Sequence, residues 1–172
     1  MSHLTENFAR PEKPEEVVTY GSLDPSVQEL LRAAFAVRQR AYVPYSGFKV
    51  GSAFRAKLTG QIFTGCNVEN AAFTPCSCAE RTALTKAVSE GATEFSVGAV
   101  LAYEPDVFTT PCGVCRQFIR EFATDDIPIY IAQAIDARIG DAAGEEPLQN
   151  DDPVLCTSIF NLLPSSFRTY RK

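Results

Sequence analysis

Cys78-Ala79-Glu80 and, further along the chain, Pro111-Cys112-Gly113-Val114-Cys115 gather three thiols and a carboxylate into two short motifs. Thiolates hold zinc through sulfur, and three protein ligands leave a fourth tetrahedral position where water is acidified towards a pKa of about 7. A carboxylate beside that water can move its proton. The only histidine, His3, lies in a polar N-terminal stretch, so the motif region offers Cys78, Cys112 and Cys115 as an all-thiolate ligand set. Three thiolates carry more negative charge than a divalent cation neutralises, which weakens the pull of the metal on water. Arg81, next to Glu80, is placed to donate to a thiolate and offset that surplus.

Each of these residues also has a plainer reading. A glutamate in a first helical turn is favoured by the helix dipole alone, and Arg81 could be an ordinary exposed helix arginine. Cys76, Cys78, Cys112 and Cys115 could form a closed four-cysteine zinc site that holds the fold and does no chemistry. Cys76-Ser77-Cys78 is an atypical ligand spacing, however, whereas C-A-E followed by P-C-x-x-C matches the signature of zinc-dependent nucleobase deaminases. Cys66, Cys76 and Cys156 read best as small buried apolar residues.

Both motifs open expected helices, over residues 78–90 and 112–122, whose free N–H groups and positive dipole ends stabilise thiolates. The first should turn Ala83, Leu84, Ala87 and Val88 inward and stop at Gly91; the second should bury Val114, Phe118, Ile119 and Phe122. Upstream, Asp24 as N-cap and Pro25 lead into a helical stripe of Val27, Leu30, Leu31, Ala34, Phe35 and Ala41. Alternation from Phe48 to Leu58, a Thr59-Gly60 turn and a return over 61–68 give an antiparallel hairpin. The apolar run 95–103 reads as a central strand buried on both faces, with further strands at 127–132 and 154–158. Strands alternating with helices give an α/β protein, a three-layer α/β/α sandwich with a mixed, five-stranded sheet. Residues 1–21 are expected to form a flexible N-terminal extension, residues 22–172 a single catalytic domain, and residues 136–152 an exposed acidic loop.

The chain has 172 residues, six cysteines and a formal charge of −5. Its N-terminus lacks the apolar core of a signal peptide, and the apolar stretch 97–103 is too short to span a bilayer, so a cytoplasmic location is expected. Thiols stay reduced there, which favours metal binding over disulfides. An acidic balance without a basic cluster argues against nucleic acid as a partner, and no membrane partner is expected; a small uncharged ligand suits the chain better.

Five segments, YVPYSGFKVGSAF (42–54), GCNVENAAF (65–73), CAERTAL (78–84), PCGVCRQFI (111–119) and LLPSSF (162–167), together resemble zinc-dependent cytidine deaminases of the homotetrameric, small-subunit type. The resemblance implies one zinc per subunit on Cys78, Cys112 and Cys115, and a nucleoside substrate. It implies that zinc-activated hydroxide attacks C4 of cytidine or deoxycytidine while Glu80 shuttles the proton, giving uridine or deoxyuridine and ammonia in pyrimidine salvage. It also implies that Asn67 and Glu69 bind the sugar hydroxyls, the Ala79 backbone holds the pyrimidine carbonyl, Phe48 packs on the base and Phe167 reaches a neighbouring subunit's site. By pattern alone, Phe48 and Phe167 could be core residues, and Asn67 and Glu69 ordinary loop residues. Phe73 departs from the tyrosine common in such enzymes, so any sugar contact through that hydroxyl is missing. Alternatives are a deaminase of another aminopyrimidine, such as blasticidin S, and a non-catalytic zinc-stabilised module that would not need Glu80.

Overall fold

Asp24 Oδ1 accepts the Ser26 N–H at 2.8 Å and Pro25 takes the first helical position, so helix α1 runs Pro25–Arg38 with Val27, Leu30, Leu31 and Ala34 buried on one side. That stripe lies on a sheet built from β1 (Glu16–Thr19), β2 (Val50–Ala56), β3 (Ile62–Cys66), β4 (Phe95–Ala102), β5 (Pro128–Gln133) and β6 (Pro153–Ser158). Helices α2 (Ala79–Ser89), α3 (Gly113–Glu121) and α4 (Ile159–Leu162) complete the elements of this computed structural model, which describes residues 11–134 and 148–168.

Strand order is β1-β6-β5-β4-β2-β3, with β4 and β5 parallel across the α3 crossover and the other neighbours antiparallel. Side chains alternate between two faces. Ala53, Ala99, Leu101, Ala132 and Val154 pack towards α1, while Phe54, Phe63, Ile129 and Ile131 pack with Leu84 of α2 and Ile119 of α3. The result is the expected three-layer sandwich, with a core on each side of the sheet.

Two strand glycines set how closely the helices approach. A Cβ at Gly51 would lie 2.0 Å from the Ala34 carbonyl oxygen of α1, and one at Gly65 would lie 2.6 Å from the Ala79 oxygen and 2.3 Å from the Ala83 nitrogen of α2. Neither helix could sit where it does over a larger residue.

Among the described residues the sheet has six strands rather than five. The additional one, β1, lies within the segment read as a flexible extension: its four residues pair with β6, and Tyr20 just beyond it is buried with its N–H on the Asp152 oxygen at 2.8 Å. A four-residue edge strand has almost no local pattern, and its pairing partner lies at the other end of the chain. Residues 1–10 are outside the described residues, as are 136–147 of the acidic loop. At the end of that loop Leu148 and Asp152 are buried, against expectation, because the Asp152 carboxylate accepts the Gln149 N–H at 2.7 Å and the turn packs under Tyr20 and Gly21.

Two side chains also differ from the periodic reading. Val114 is 63% exposed, because α3 turns Cys115 and Ile119 inward, one position round from it. Leu58 is exposed because β2 ends at Ala56 and the turn lifts it off the sheet. Helix α4 was not legible as a helix; Ser158 Oγ caps it by accepting the Asn161 N–H at 3.1 Å. No helix among the described residues is long and apolar enough to cross a membrane.

Candidate active site

The N-caps of α2 and α3 are Cys78 and Cys112, both in extended backbone geometry, and neither side chain caps its own helix. The N–H groups at both helix starts therefore remain available to stabilise negative charge. The two starts converge. The sulfurs of Cys78 and Cys112 are 3.9 Å apart, and those of Cys78, Cys112 and Cys115 all lie within 4.8 Å of one another. At a Zn–S distance of about 2.3 Å, the edge of a tetrahedron is about 3.8 Å. The donor set and its spacing thus fit a zinc ion. Cys115 is buried, Cys78 half-buried and Cys112 exposed, so the cluster is open on one side.

Without a cation Cys78 and Cys115 share a proton. The Cys78 thiol is lowered to about 5, chiefly by a hydrogen bond from Cys115 and further by Arg81 and Cys112, against the opposing effect of burial. Cys115 is pushed up, first because its proton is committed to Cys78 and then by burial and the Glu80 charge. A divalent cation replaces the shared proton, which is the chemical sense of such a cluster.

Glu80, in the first turn of α2, is 4% exposed. Burial raises its pKa and the Cys78 charge adds to that, while its own backbone N–H, the Cys115 thiol and Arg81 oppose. The Arg81 Nη2 donates to the Cys76 carbonyl at 2.9 Å and lies 3.8 Å from the Cys78 sulfur; its Nε is buried with no acceptor. Cys76 is not part of the three-sulfur cluster: its sulfur accepts the Asn70 N–H at 3.2 Å within the preceding loop.

The segment 67–69 lies between this turn and the segment 42–50. Val68 pairs with Ser77 through hydrogen bonds of 2.9 and 3.0 Å, and the Glu69 N–H donates to the Tyr42 oxygen at 2.8 Å. Asn67 Oδ1 accepts the Val50 N–H and its Nδ2 donates to the Phe48 carbonyl, both at 2.8 Å. The Glu69 carboxylate accepts the N–H groups of Tyr45 and Ser46, at 2.9 and 3.2 Å, and the Ser46 hydroxyl. The Ser46 bond foremost, with the two N–H groups, holds Glu69 below the usual carboxylate range despite partial burial. The fold thus brings Phe48, Asn67 and Glu69 together, one short ladder away from Cys78, Ala79 and Glu80. Ala79 itself is buried at the first position of α2.

Phe167 is 61% exposed, and its segment is tied to α3: the Gln117 Nε2 donates to the Phe167 carbonyl at 3.3 Å and the Arg120 Nε to Ser166 Oγ at 3.0 Å. Phe73 is 72% exposed at a positive φ of 56°, with its ring 6.1 Å from that of Tyr45. Two residues that sequence reasoning passed over help shape the site. Gly65 lets the start of α2 lie on β3, and a glycine inside a strand pattern is the available signal. Ser46 binds Glu69, and a serine in a Pro-x-Ser-Gly turn is the hint that its hydroxyl works on nearby backbone and side chains.

Residues 25–131 match the family model described as the cytidine and deoxycytidylate deaminase zinc-binding region. The chain is 46% identical over 105 residues to the cytidine deaminase of Sporosarcina psychrophila, covering 61% of this chain and 76% of that protein. It is 43% identical over 104 residues to the cytidine deaminase of Halalkalibacterium halodurans, covering 60% and 77% respectively. The crystal structure of cytidine deaminase from Burkholderia pseudomallei superposes with a TM-score of 0.66 at 37% identity, over 81% of this chain and 98% of that one.

Proposed function

The chain belongs to the cytidine and deoxycytidylate deaminase family, and from that premise we propose that it is a zinc-dependent hydrolase converting cytidine and deoxycytidine to uridine and deoxyuridine with release of ammonia, in pyrimidine salvage. The observation that carries this reading is a three-sulfur cluster at two uncapped helix starts with a buried carboxylate beside it. Zinc bound by Cys78, Cys112 and Cys115 would supply Lewis acidity, lowering the pKa of water at its open position towards about 7.

The chain's own groups do the rest. Glu80, with its proton affinity raised by burial, takes up one proton of the attacking water at a carboxylate oxygen and passes it to N3 of the pyrimidine, then takes up the second proton of that water and passes it to the amino nitrogen as its bond to C4 breaks. Arg81 offsets thiolate charge at Cys78. The Ala79 N–H, at the start of α2, is assigned to the pyrimidine carbonyl, Phe48 to the face of the base, and Asn67 and Glu69 to the sugar hydroxyls. A phosphate at the 5′ carbon would bring charge towards an acidic protein, so the free nucleoside is preferred to its phosphate.

The working form is a homotetramer in which Phe167 borders a neighbouring subunit's pocket, and its compartment is the cytoplasm. The support is a set of exposed apolar side chains on the segments that carry the site or are tied to them, Tyr42, Tyr45, Phe73, Val114 and Phe167, which another copy would cover. Light scattering should give a tetramer, and Phe167→Ala should raise KM more than it lowers kcat. A fully active monomer would exclude the shared pocket. The decisive assay is ammonia release from cytidine by the zinc-loaded protein, with deoxycytidine, CMP, blasticidin S and a cytosine-containing oligonucleotide in parallel. Preference for CMP or the oligonucleotide would overturn the free-nucleoside assignment.

A further inference from the structure

Glu69 and Asn67 commit most of their hydrogen-bonding capacity to the chain between Tyr45 and Val50, and what remains is specific. A carboxylate accepts about four hydrogen bonds; an amide oxygen accepts about two and its nitrogen donates about two. The Glu69 Oε2 receives the Tyr45 and Ser46 N–H groups, and Oε1 receives the Ser46 hydroxyl. One lone pair is left, on Oε1. Asn67 has used one donor on Phe48 and one acceptor on Val50, leaving one of each.

Ser46 decides where that last Glu69 lone pair points. Its Oγ accepts the Phe48 N–H at 3.0 Å, which fixes the hydroxyl against the backbone and leaves its single proton for Glu69 Oε1. Gly47, at φ 68°, makes the turn that lets the Phe48 N–H reach back to Ser46. The terminal torsion of a glutamate is otherwise broad. We infer that Ser46 is a positioning residue for substrate selectivity: through Glu69 it aims the free carboxylate lone pair at a ring hydroxyl of the nucleoside sugar. This rests on the reading of Glu69 as a sugar contact. Ser46 itself is exposed and lies outside the sulfur cluster, and its one tie to the base side is the Phe48 N–H, so a disturbance passed through Phe48 would weaken nucleosides with and without ring hydroxyls alike.

The test compares cytidine with 2′,3′-dideoxycytidine, which lacks both ring hydroxyls, on the zinc-loaded full chain. Ser46→Ala should lower kcat/KM for cytidine by about 10- to 100-fold through KM, as expected for a misaligned hydrogen bond to a charged group. Its kcat for cytidine and its kcat/KM for the dideoxynucleoside should stay put. Ser46→Thr, which keeps the hydroxyl, should restore discrimination, and Ser46→Cys, of similar shape with a weak donor, should fall between. An equal loss on both substrates would mean that Ser46 merely holds the loop, and the inference fails. Glu69→Gln separates the layers: if it abolishes discrimination while Ser46→Ala does not, the sugar contact stands and Ser46 is not what aims it. If neither variant changes discrimination, the sugar contact itself is wrong.

Discussion

Helices α1 and α2 are seated in the same way on opposite faces of the β2–β3 hairpin, each with its backbone pressed onto a strand glycine, Gly51 under α1 and Gly65 under α2. They differ at the N-terminus. Asp24 closes α1 by accepting the Ser26 N–H, so its first-turn donors are partly satisfied from within. Cys78 starts α2 without capping it, Cys112 does the same for α3, and the two ends meet around three sulfurs and Glu80. One end is finished locally and contributes stability; the others forgo a cap and keep their N–H groups for anions. A helix of ordinary length becomes structural or chemical according to the one residue ahead of its first turn.

The largest break in this comparison should come from Glu80→Gln, which keeps the helix and the sulfurs but removes the proposed proton carrier. Since each general acid or base role contributes about 10²–10⁴-fold, kcat should fall by several orders of magnitude while zinc content stays stoichiometric. Steady-state kinetics beside metal analysis checks this, and near-normal turnover would rule out the proton role. Next is the glycine pair. Gly65→Ala must push α2 off β3, and overpacking of this kind costs about 1–3 kcal/mol; because the displaced turn carries Cys78 and Glu80, zinc affinity and kcat should fall with stability. Gly51→Ala should cost stability on a similar scale through α1 while the folded fraction keeps its zinc and kcat. Denaturant midpoints read together with zinc titrations distinguish the two, and identical profiles would dissolve the contrast between the faces.

Zinc uptake sharpens the electrostatic side. The Cys115 thiol is held up and therefore protonated in the metal-free protein at neutral pH, so loading must expel its proton and affinity must rise with pH. Calorimetry at pH 7 in buffers of different ionisation enthalpy should show proton release. Asp24→Ala should be smaller, a modest loss of stability with unchanged kcat, since it opens the cap of α1 and touches neither α2 nor α3. Smallest of all, Cys76→Ser should keep zinc and most of the activity, its sulfur being bound to the Asn70 backbone.

Most of the site's vocabulary could be read from the chain because it is local: C-A-E and P-C-x-x-C each place their ligands within one turn of a helix whose start is marked by the motif itself. The α1 cap, the β2–β3 hairpin and the apolar run of β4 were legible for the same reason, each being a periodicity or a turn within a short window. What was not legible depends on residues far apart. β1 exists because β6 lies beside it, Val114 faces outward because α3 is rotated by its tertiary contacts, and Asp152 is buried because the N-terminal segment returns over it. Asn67 and Glu69 fall between the two cases. The family resemblance implied a sugar contact for them, but only the fold reveals that both also bind the segment 45–50, and so how much capacity is left for a ligand.

The strand β1 bears on how the protein behaves in a test tube. It occupies the outer side of β6, which would otherwise present an open row of N–H and C=O groups, the kind of edge that recruits strands from other molecules and drives aggregation. β1 is itself a poor template, being four residues long with Glu16 at its start. Proteolytic clipping ahead of Tyr20 would spare every residue assigned to catalysis, so an assay made at once would register little. The damage would come later, as turbidity on storage, and a preparation that loses activity by precipitating should first be checked for its N-terminus.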